Sequence, residues 1–326
     1  MNEQSKVVVI GSGSWATAIV KILLTNVKKI SWYIRNPENI EFIKNYKHNP
    51  HYLSSTILDI DRITFYDDIN EAVENNDVLI FVVPAAFLKS TINPLTVSLD
   101  KKLIVSAIKG IVPEHNLTVA EFFHEKYLIP FDRIVVITGP CHAEEIAMER
   151  LSYLTFSSKS THVARSVSEK FECSYVHVII STDIYGAEYA AILKNIIAIA
   201  AGICHGLGYG DNFQAVLVSN AIMEIKRFLD ETHPGHRIIS SSAYLGDLLV
   251  TSYSQFSRNR TYGMMIGKGY SVKSAQLEMN MVAEGYYAVK SIKEINKKYK
   301  VNMPITDAVY NIIYEKISPV IEIKLL

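Results

Sequence analysis

The chain has 326 residues, enough for two domains, and its 49% hydrophobic content supplies material for sizeable cores. Lysine plus arginine balances aspartate plus glutamate at 33 each, which argues against nucleic acid or an anionic membrane as a partner. The three cysteines, Cys141, Cys173 and Cys204, contain no C-x-x-C pair; this excludes a disulfide framework and a thiolate zinc site, and a reducing cytosol is expected. The start, MNEQSKVVVIG, enters a strand at once, so no signal peptide is expected there.

Lys6–Ile10 (KVVVI) is a continuous apolar run of the kind that suits a parallel sheet covered on both faces. Gly11-Ser12-Gly13-Ser14-Trp15-Ala16 follows, and a helical stretch, Thr17–Leu24, comes next. This is G-x-G-x-x-A, an accepted form of the dinucleotide fingerprint, in its required place between a strand and a helix. Gly11 permits the tight turn, Gly13 lets the backbone approach a pyrophosphate, and Ala16 keeps helix and strand close. The phosphates are expected at the free N–H groups of the helix start. A second strand, Lys29–Ile34, ends at Arg35, where NAD enzymes usually place an acid; a guanidinium there suits a 2′-phosphate or stacking on adenine. NADP(H) is thereby slightly favoured without excluding NAD(H).

Further strands read at Ile63–Tyr66, Val78–Val83, Leu103–Ala107 and Arg133–Thr138, with helical spacers at Ile69–Asn75 and Leu117–Tyr127. Alternation of this kind argues for a doubly wound α/β domain, whose ligands sit at the carboxyl ends of the strands. Lys109 and the turn Gly139-Pro140-Cys141-His142-Ala143 fall on that edge. Tyr153–Ser157 and Val176–Ile180 are expected to extend the sheet. After Thr182-Asp183 the pattern becomes helical, through Tyr185–Asp211, Ala215–Phe228, Met279–Ile295 and Thr306–Lys316.

The long middle part of Tyr185–Asp211 has almost no polar face apart from Lys194 and Asn195, which marks a buried helix. It reads as too short and too interrupted to span a bilayer. A lysine inside it needs a partner or loses its proton, and a lysine so placed is a candidate proton donor and acceptor. Ser257 suits a helix N-cap, and Arg258 and Asn259 beside it would hold a phosphate. The ten histidines form no helical H-x-x-x-H pair, and no metal site is expected.

These residues resemble the bacterial NAD(P)-dependent sn-glycerol-3-phosphate dehydrogenase family along nearly the whole chain. The blocks that carry the likeness are GSGSWATA (11–18), WYIRN (32–36), NPHYL (49–53), SAIKGI (106–111) and GPCHAEEIA (139–147). They continue with LKNIIAIAAGICHGLGYGDNFQA (193–215), LGDLLVT (245–251), SRNRTYG (257–263), VAEG (282–285) and MPI (303–305). The resemblance implies a Rossmann-type α/β domain over 1–183 and an all-α substrate and dimerisation domain over 184–326, a 6-phosphogluconate-dehydrogenase-like plan. It implies reversible reduction of dihydroxyacetone phosphate to sn-glycerol 3-phosphate for phospholipid synthesis, by a cytoplasmic homodimer. Ser14, Trp15, Arg35, Lys109, Ala143, Arg258, Val282 and Glu284 match cofactor contacts, alongside Gly11 and Gly13. Lys109, Gly139, Ser257, Arg258 and Asn259 match positions around the substrate. Lys194 matches the proton donor and acceptor, with Asp247 close to the same centre. Cys141 stands where the family more often has Ser or Thr, so a thiol replaces a better hydrogen-bonding group; Tyr244 replaces a smaller residue beside Asp247.

Two other readings fit parts of the pattern. A hydroxyacid or ketopantoate reductase would share the two-domain plan but prefer a carboxylate, against which the SRNR block argues. A non-catalytic NAD(P)-sensing module would have no need of Lys194, Lys109, Asp247 and Arg258 together.

Overall fold

Short runs rich in valine and isoleucine form the main sheet, because β-branched side chains fit a pleated surface buried on both faces. The computed structural model describes residues 5–279 and 282–326. Its strands are β1 (Val7–Ile10), β2 (Ile30–Tyr33), β3 (Ile63–Tyr66), β4 (Val78–Phe81), β5 (Leu103–Ser106), β6 (Ile111–Val112), β7 (Leu117–Thr118), β8 (Ile134–Thr138), β9 (Ser152–Ser157) and β10 (Val176–Ser181). Eight of them form one sheet in the order β10-β9-β8-β5-β4-β1-β2-β3. Neighbours in it run parallel except β8 and β9, which pair antiparallel with Thr138 opposite Thr155. The order reverses on either side of β1, the switch point where a doubly wound sheet binds its ligand.

Helices α1 (Ser14–Asn26), α2 (Pro37–Tyr46), α3 (Ile69–Glu74), α4 (Ala85–Ile92), α5 (Val119–Tyr127), α6 (Ala143–Ala147) and α7 (Thr161–Ser168) connect the strands. Several of these were not read from the sequence. Asn36 and Ser160 cap α2 and α7 by accepting from Glu38 N and Val163 N, the usual chemistry of a helix start. The helix expected from Leu117 starts only at Val119, because Leu117 and Thr118 pair with Val112 and Ile111 in a small hairpin.

The chain divides into two compact units, residues 1–108 with 119–184, and residues 109–118 with 185–326. The β6–β7 hairpin and Lys109 therefore cluster with the helical unit, although they lie before residue 183. That unit is built from α8 (Ile184–Gly206), α9 (Asp211–Thr232), α10 (Asp247–Tyr253), α11 (Arg258–Gly267), α12 (Val272–Glu278), α13 (Glu284–Tyr299), α14 (Pro304–Ile313) and α15 (Pro319–Ile323). The helix expected from Met279 begins at Glu284, and residues 280 and 281 lie outside the described residues.

Contrary to the reading of the segment as too short, α8 is long and apolar enough to cross a membrane, yet its most apolar stretch is wholly buried in the protein. Isoleucines 192, 196, 199 and 203 lie in the core of the helical unit with Leu217, Phe228, Tyr262 and Val289. Two glycines on α8 and two on α11 allow the helices to cross backbone to backbone. A Cβ on Gly202 would lie 2.0 Å from the Arg260 carbonyl oxygen, and one on Gly263 would lie 2.1 Å from that of Ile199. Gly206 and Gly267 meet the carbonyls of Met264 and Ile203 in the same way.

Candidate active site

Two sets of candidate side chains emerge, one within each unit. In the first unit, β1 ends at Gly11, whose φ of +131° favours glycine and whose Cβ would stand 2.4 Å from the Val82 carbonyl oxygen. The turn is thus a steric requirement of the sheet itself. Gly13 differs: a Cβ there would meet nothing within 4 Å. The protein's own packing does not demand this glycine, and the open space beside it fits a ligand that comes up against the backbone. Gly13 caps α1 without any side-chain hydrogen bond, and the first turn carries no acidic residue. The N–H groups there have no intrahelical acceptors, which suits an anion. These features fit the pyrophosphate of a dinucleotide.

Other predicted cofactor residues, and the predicted substrate residues Gly139 and Cys141, lie in the same unit. Ser14 opens α1 and is buried, and the Trp15 indole donates to the Ala107 carbonyl at 3.1 Å. Arg35 is exposed just past the end of β2. Gly139 follows β8 with φ +113°, and a Cβ on it would press on the Tyr153 carbonyl at 2.6 Å. Cys141 and Ala143 are buried at the start of α6.

In the helical unit, Lys194 and Asp247 are only 4% and 1% exposed. Lys194 Nζ donates to Asp247 Oδ1, and to Thr251 Oγ1 at 3.0 Å. Lys109 Nζ lies 3.7 Å from Asp247 Oδ2, so one carboxylate faces two ammonium groups. Desolvating such charges costs several kcal/mol per ion, an amount that good geometry and further hydrogen bonds offset. The further bonds are present. Thr251 Oγ1 also donates to the Asp247 carbonyl at 2.7 Å, and Asn195 Nδ2 donates to the Lys109 carbonyl at 2.7 Å. A π-helical turn at Ser242–Gly246, containing Tyr244, delivers Asp247 to the first position of α10. Asp247 and Thr251 are four residues apart on that helix and so share a face. That spacing was visible within LGDLLVT, yet Thr251 was not singled out from the sequence.

The block at the start of α11 is placed by hydrogen bonds as well. Ser257 Oγ accepts from Arg260 N at 3.3 Å as the cap. Asn259 Oδ1 accepts from Gly285 N at 2.9 Å, and Arg258 Nη1 reaches the Val282 carbonyl at 3.5 Å. Glu284 is the first residue of α13, so Val282 and Glu284 stand beside the SRNR block. A Cβ on Gly285 would lie 2.6 Å from the Asn195 carbonyl, which sets the start of α13 against α8 next to Lys194.

Known proteins match this chain over both units. The family described as NAD-dependent glycerol-3-phosphate dehydrogenase matches with its N-terminal part at residues 6–164 and its C-terminal part at residues 183–324. A glycerol-3-phosphate dehydrogenase [NAD(P)+] of Streptococcus pneumoniae is 35% identical over 96% of this chain and 93% of its own length. The enzyme of the same name from Staphylococcus carnosus is 34% identical over 99% of this chain and 97% of its own. The crystal structure of glycerol-3-phosphate dehydrogenase from Coxiella burnetii superposes with a TM-score of 0.90 at 26% identity, covering 99% of each chain. With both parts of the profile matched and the buried lysine–aspartate pair in place, the chain belongs to the NAD-dependent glycerol-3-phosphate dehydrogenase family.

Proposed function

We propose that this chain reversibly reduces dihydroxyacetone phosphate to sn-glycerol 3-phosphate with NADH or NADPH, a product that feeds glycerophospholipid synthesis. The observation that carries the reading is the Lys194–Asp247–Thr251 constellation with Lys109 beside it. A dinucleotide held by its pyrophosphate at the Gly11–Ala16 turn would supply the hydride for the ketone carbon. As the ketone oxygen gains negative charge, Lys194 Nζ gives it a proton, and in the reverse direction takes the proton from the alcohol. Asp247 keeps Lys194 charged and aimed, and Thr251 fixes both. Lys109 adds a second positive charge toward the developing alkoxide. Such donors are typically worth about 3–4 kcal/mol each in the transition state.

Arg258, with the Ser257 hydroxyl and the Asn259 amide, holds the phosphate, and Gly139 and Cys141 complete the substrate set. Anchoring the remote phosphate aligns the carbonyl and so spends binding energy on the reaction. Ser14, Trp15, Arg35, Ala143, Val282 and Glu284 serve the dinucleotide. The residues of the first unit form the Rossmann-type domain and those of the second the substrate domain. A homodimer is supported by exposed apolar side chains on α9 and α15, Val216, Met223, Val320 and Ile321. A cytoplasmic setting is supported by three cysteines that lie far apart in the chain with no disulfide framework among them.

Initial rates of NADH and NADPH oxidation with dihydroxyacetone phosphate, ketopantoate and small 2-keto acids test the reading. Turnover confined to dihydroxyacetone phosphate is expected. Activity on a keto acid instead would keep the fold and remove the phosphate site.

A further inference from the structure

The three carbonyl groups of Gly11, Ser12 and Gly13 are each held by a side chain from a different element. The buried Trp32 of β2 donates its indole N–H to the Gly11 carbonyl at 2.7 Å. Asn49, in the loop after α2, donates from Nδ2 to the Ser12 carbonyl at 3.0 Å. Thr17 of α1 donates from Oγ1 to the Gly13 carbonyl at 3.0 Å, and itself accepts from Asn49 Nδ2 at 2.9 Å. The Gly11 N–H is spent on the Tyr33 carbonyl at 3.2 Å; with the three carbonyls also drawn toward the protein, the N–H groups at the start of α1 are left for the ligand side, where the open space at Gly13 lies.

Asn49 is the keystone of this set. It is 2% exposed, and its amide uses both donors and both acceptor sites. Besides the two bonds from Nδ2, its Oδ1 accepts from His51 N at 3.0 Å and Tyr52 N at 3.2 Å. The loop around it is itself closed, with Leu58 N donating to the Lys47 carbonyl at 2.8 Å and Leu53 held at φ +50°. A branched apolar residue in that conformation costs about 1 kcal/mol or more, strain that persists only where surrounding bonds impose it. Nothing in the N-P-H-Y-L run needs so much hydrogen bonding merely to turn the chain.

We propose that Asn49 is a positioning residue for the dinucleotide: through the Ser12 carbonyl and Thr17 it fixes the glycine turn in its anion-binding form before the pyrophosphate arrives. The inference rests on the reading of Gly11–Ala16 as the pyrophosphate site. Preorganisation of this kind sets cofactor affinity, because an ordered loop loses little freedom on binding. It does not touch the proton transfer in the helical unit.

Asn49→Asp is nearly isosteric and removes both Nδ2 donors, and Thr17→Val removes the hydroxyl relay while Thr17→Ser keeps it. Dissociation constants for NADH and NADPH, read from the fluorescence of the two tryptophans and by calorimetry, are measured with melting temperatures and steady-state constants. For Asn49→Asp, cofactor dissociation constants and KM rise about 10- to 50-fold, the size expected for losing one or two buried hydrogen bonds. The KM for dihydroxyacetone phosphate and kcat at saturating cofactor stay within about threefold of the parent. Thr17→Val follows the same split more weakly, and Thr17→Ser restores parental affinity.

Parental cofactor affinity in Asn49→Asp would overturn the inference. So would a fall in melting temperature that accounts for all of its lost binding, or Thr17→Ser behaving like Thr17→Val. If Asn49→Asp does not fold, the Thr17 pair alone decides. Failure of the parent protein to bind either dinucleotide would instead overturn the cofactor reading itself, and the inference with it.

Discussion

The glycine turn and the lysine–aspartate cluster solve opposite electrostatic problems. On the proposed reading, the turn prepares for an anion with no formal charge of its own, using backbone N–H groups at the start of α1 and three tethered carbonyls. The cluster buries two formal charges, those of Lys194 and Asp247, beside the partly buried Lys109, and must neutralise and hydrogen-bond them internally. One is therefore built from what is left out, side chains at Gly11 and Gly13. The other is built from what is brought together, residues 53 and 57 positions apart in the chain. Removing an atom should ruin the cluster, and adding one should ruin the turn.

The largest test of that contrast is Lys194→Ala. Turnover should fall about 10⁴-fold, combining lost proton transfer with lost charge stabilisation, while NADH binding measured by fluorescence stays within about twofold. Loss of cofactor binding in that variant would make Lys194 a structural residue and dissolve the contrast. Leaving Asp247 buried also lowers stability by about 3–5 kcal/mol, so the melting temperature should drop in parallel.

Two additions of a single methyl group sharpen the other half. Gly11→Ala places a Cβ against the Val82 carbonyl in a backbone conformation that suits only glycine, and should cost about 2–4 kcal/mol in chemical denaturation. Gly13→Ala meets no protein atom and should leave stability unchanged, yet weaken NADH about tenfold or more, at least about 1.4 kcal/mol. Equal effects from the two substitutions would mean that the space beside Gly13 does not receive the ligand.

The smallest effect concerns a carboxylate outside both sets. Glu224 on α9 is 1% exposed and accepts from Ile305 N, Thr306 N and Thr306 Oγ1, which ties α9 to the start of α14. Burial raises its pKa above the usual glutamate value, against the lowering effect of those donors and Arg227. The native state thus holds this proton more tightly than the unfolded chain. Its contribution to stability is complete below the unfolded value and declines as pH rises through the native one. Glu224→Gln should flatten that decline in melting curves taken from about pH 4 to pH 8, with kcat unaffected. An unchanged slope would mean that the carboxyl is not the titrating group.

The turn was legible because its chemistry is local. Strand, Gly11, Gly13, Ala16 and helix follow one another within twenty residues, and each has a steric or electrostatic reason for its type. Lys194 was legible for a different reason, as a charge in the middle of a helix where only Asn195 is polar beside it. Its partners were not. Nothing near Asp247 in the sequence says that it pairs with Lys194, and it was the family likeness that connected them. Thr251 and Asn49 escaped because an isolated threonine or asparagine carries no periodic signal; their roles arise from long-range hydrogen bonds. The β6–β7 hairpin escaped because two-residue strands are too short to show alternation.

That hairpin has a consequence for how the molecule can be taken apart. Residues 109–118 leave the sheet-containing unit, join the helical one, and the chain then returns at residue 119. A fragment cut at residue 184 would therefore lack two strands of the helical unit and the cation of Lys109, however cleanly it were expressed. Grafting this helical unit onto another nucleotide-binding scaffold would need the ten residues 109–118 inserted within that scaffold as well as the C-terminal piece. No single cut in the chain divides the two units as genetic modules.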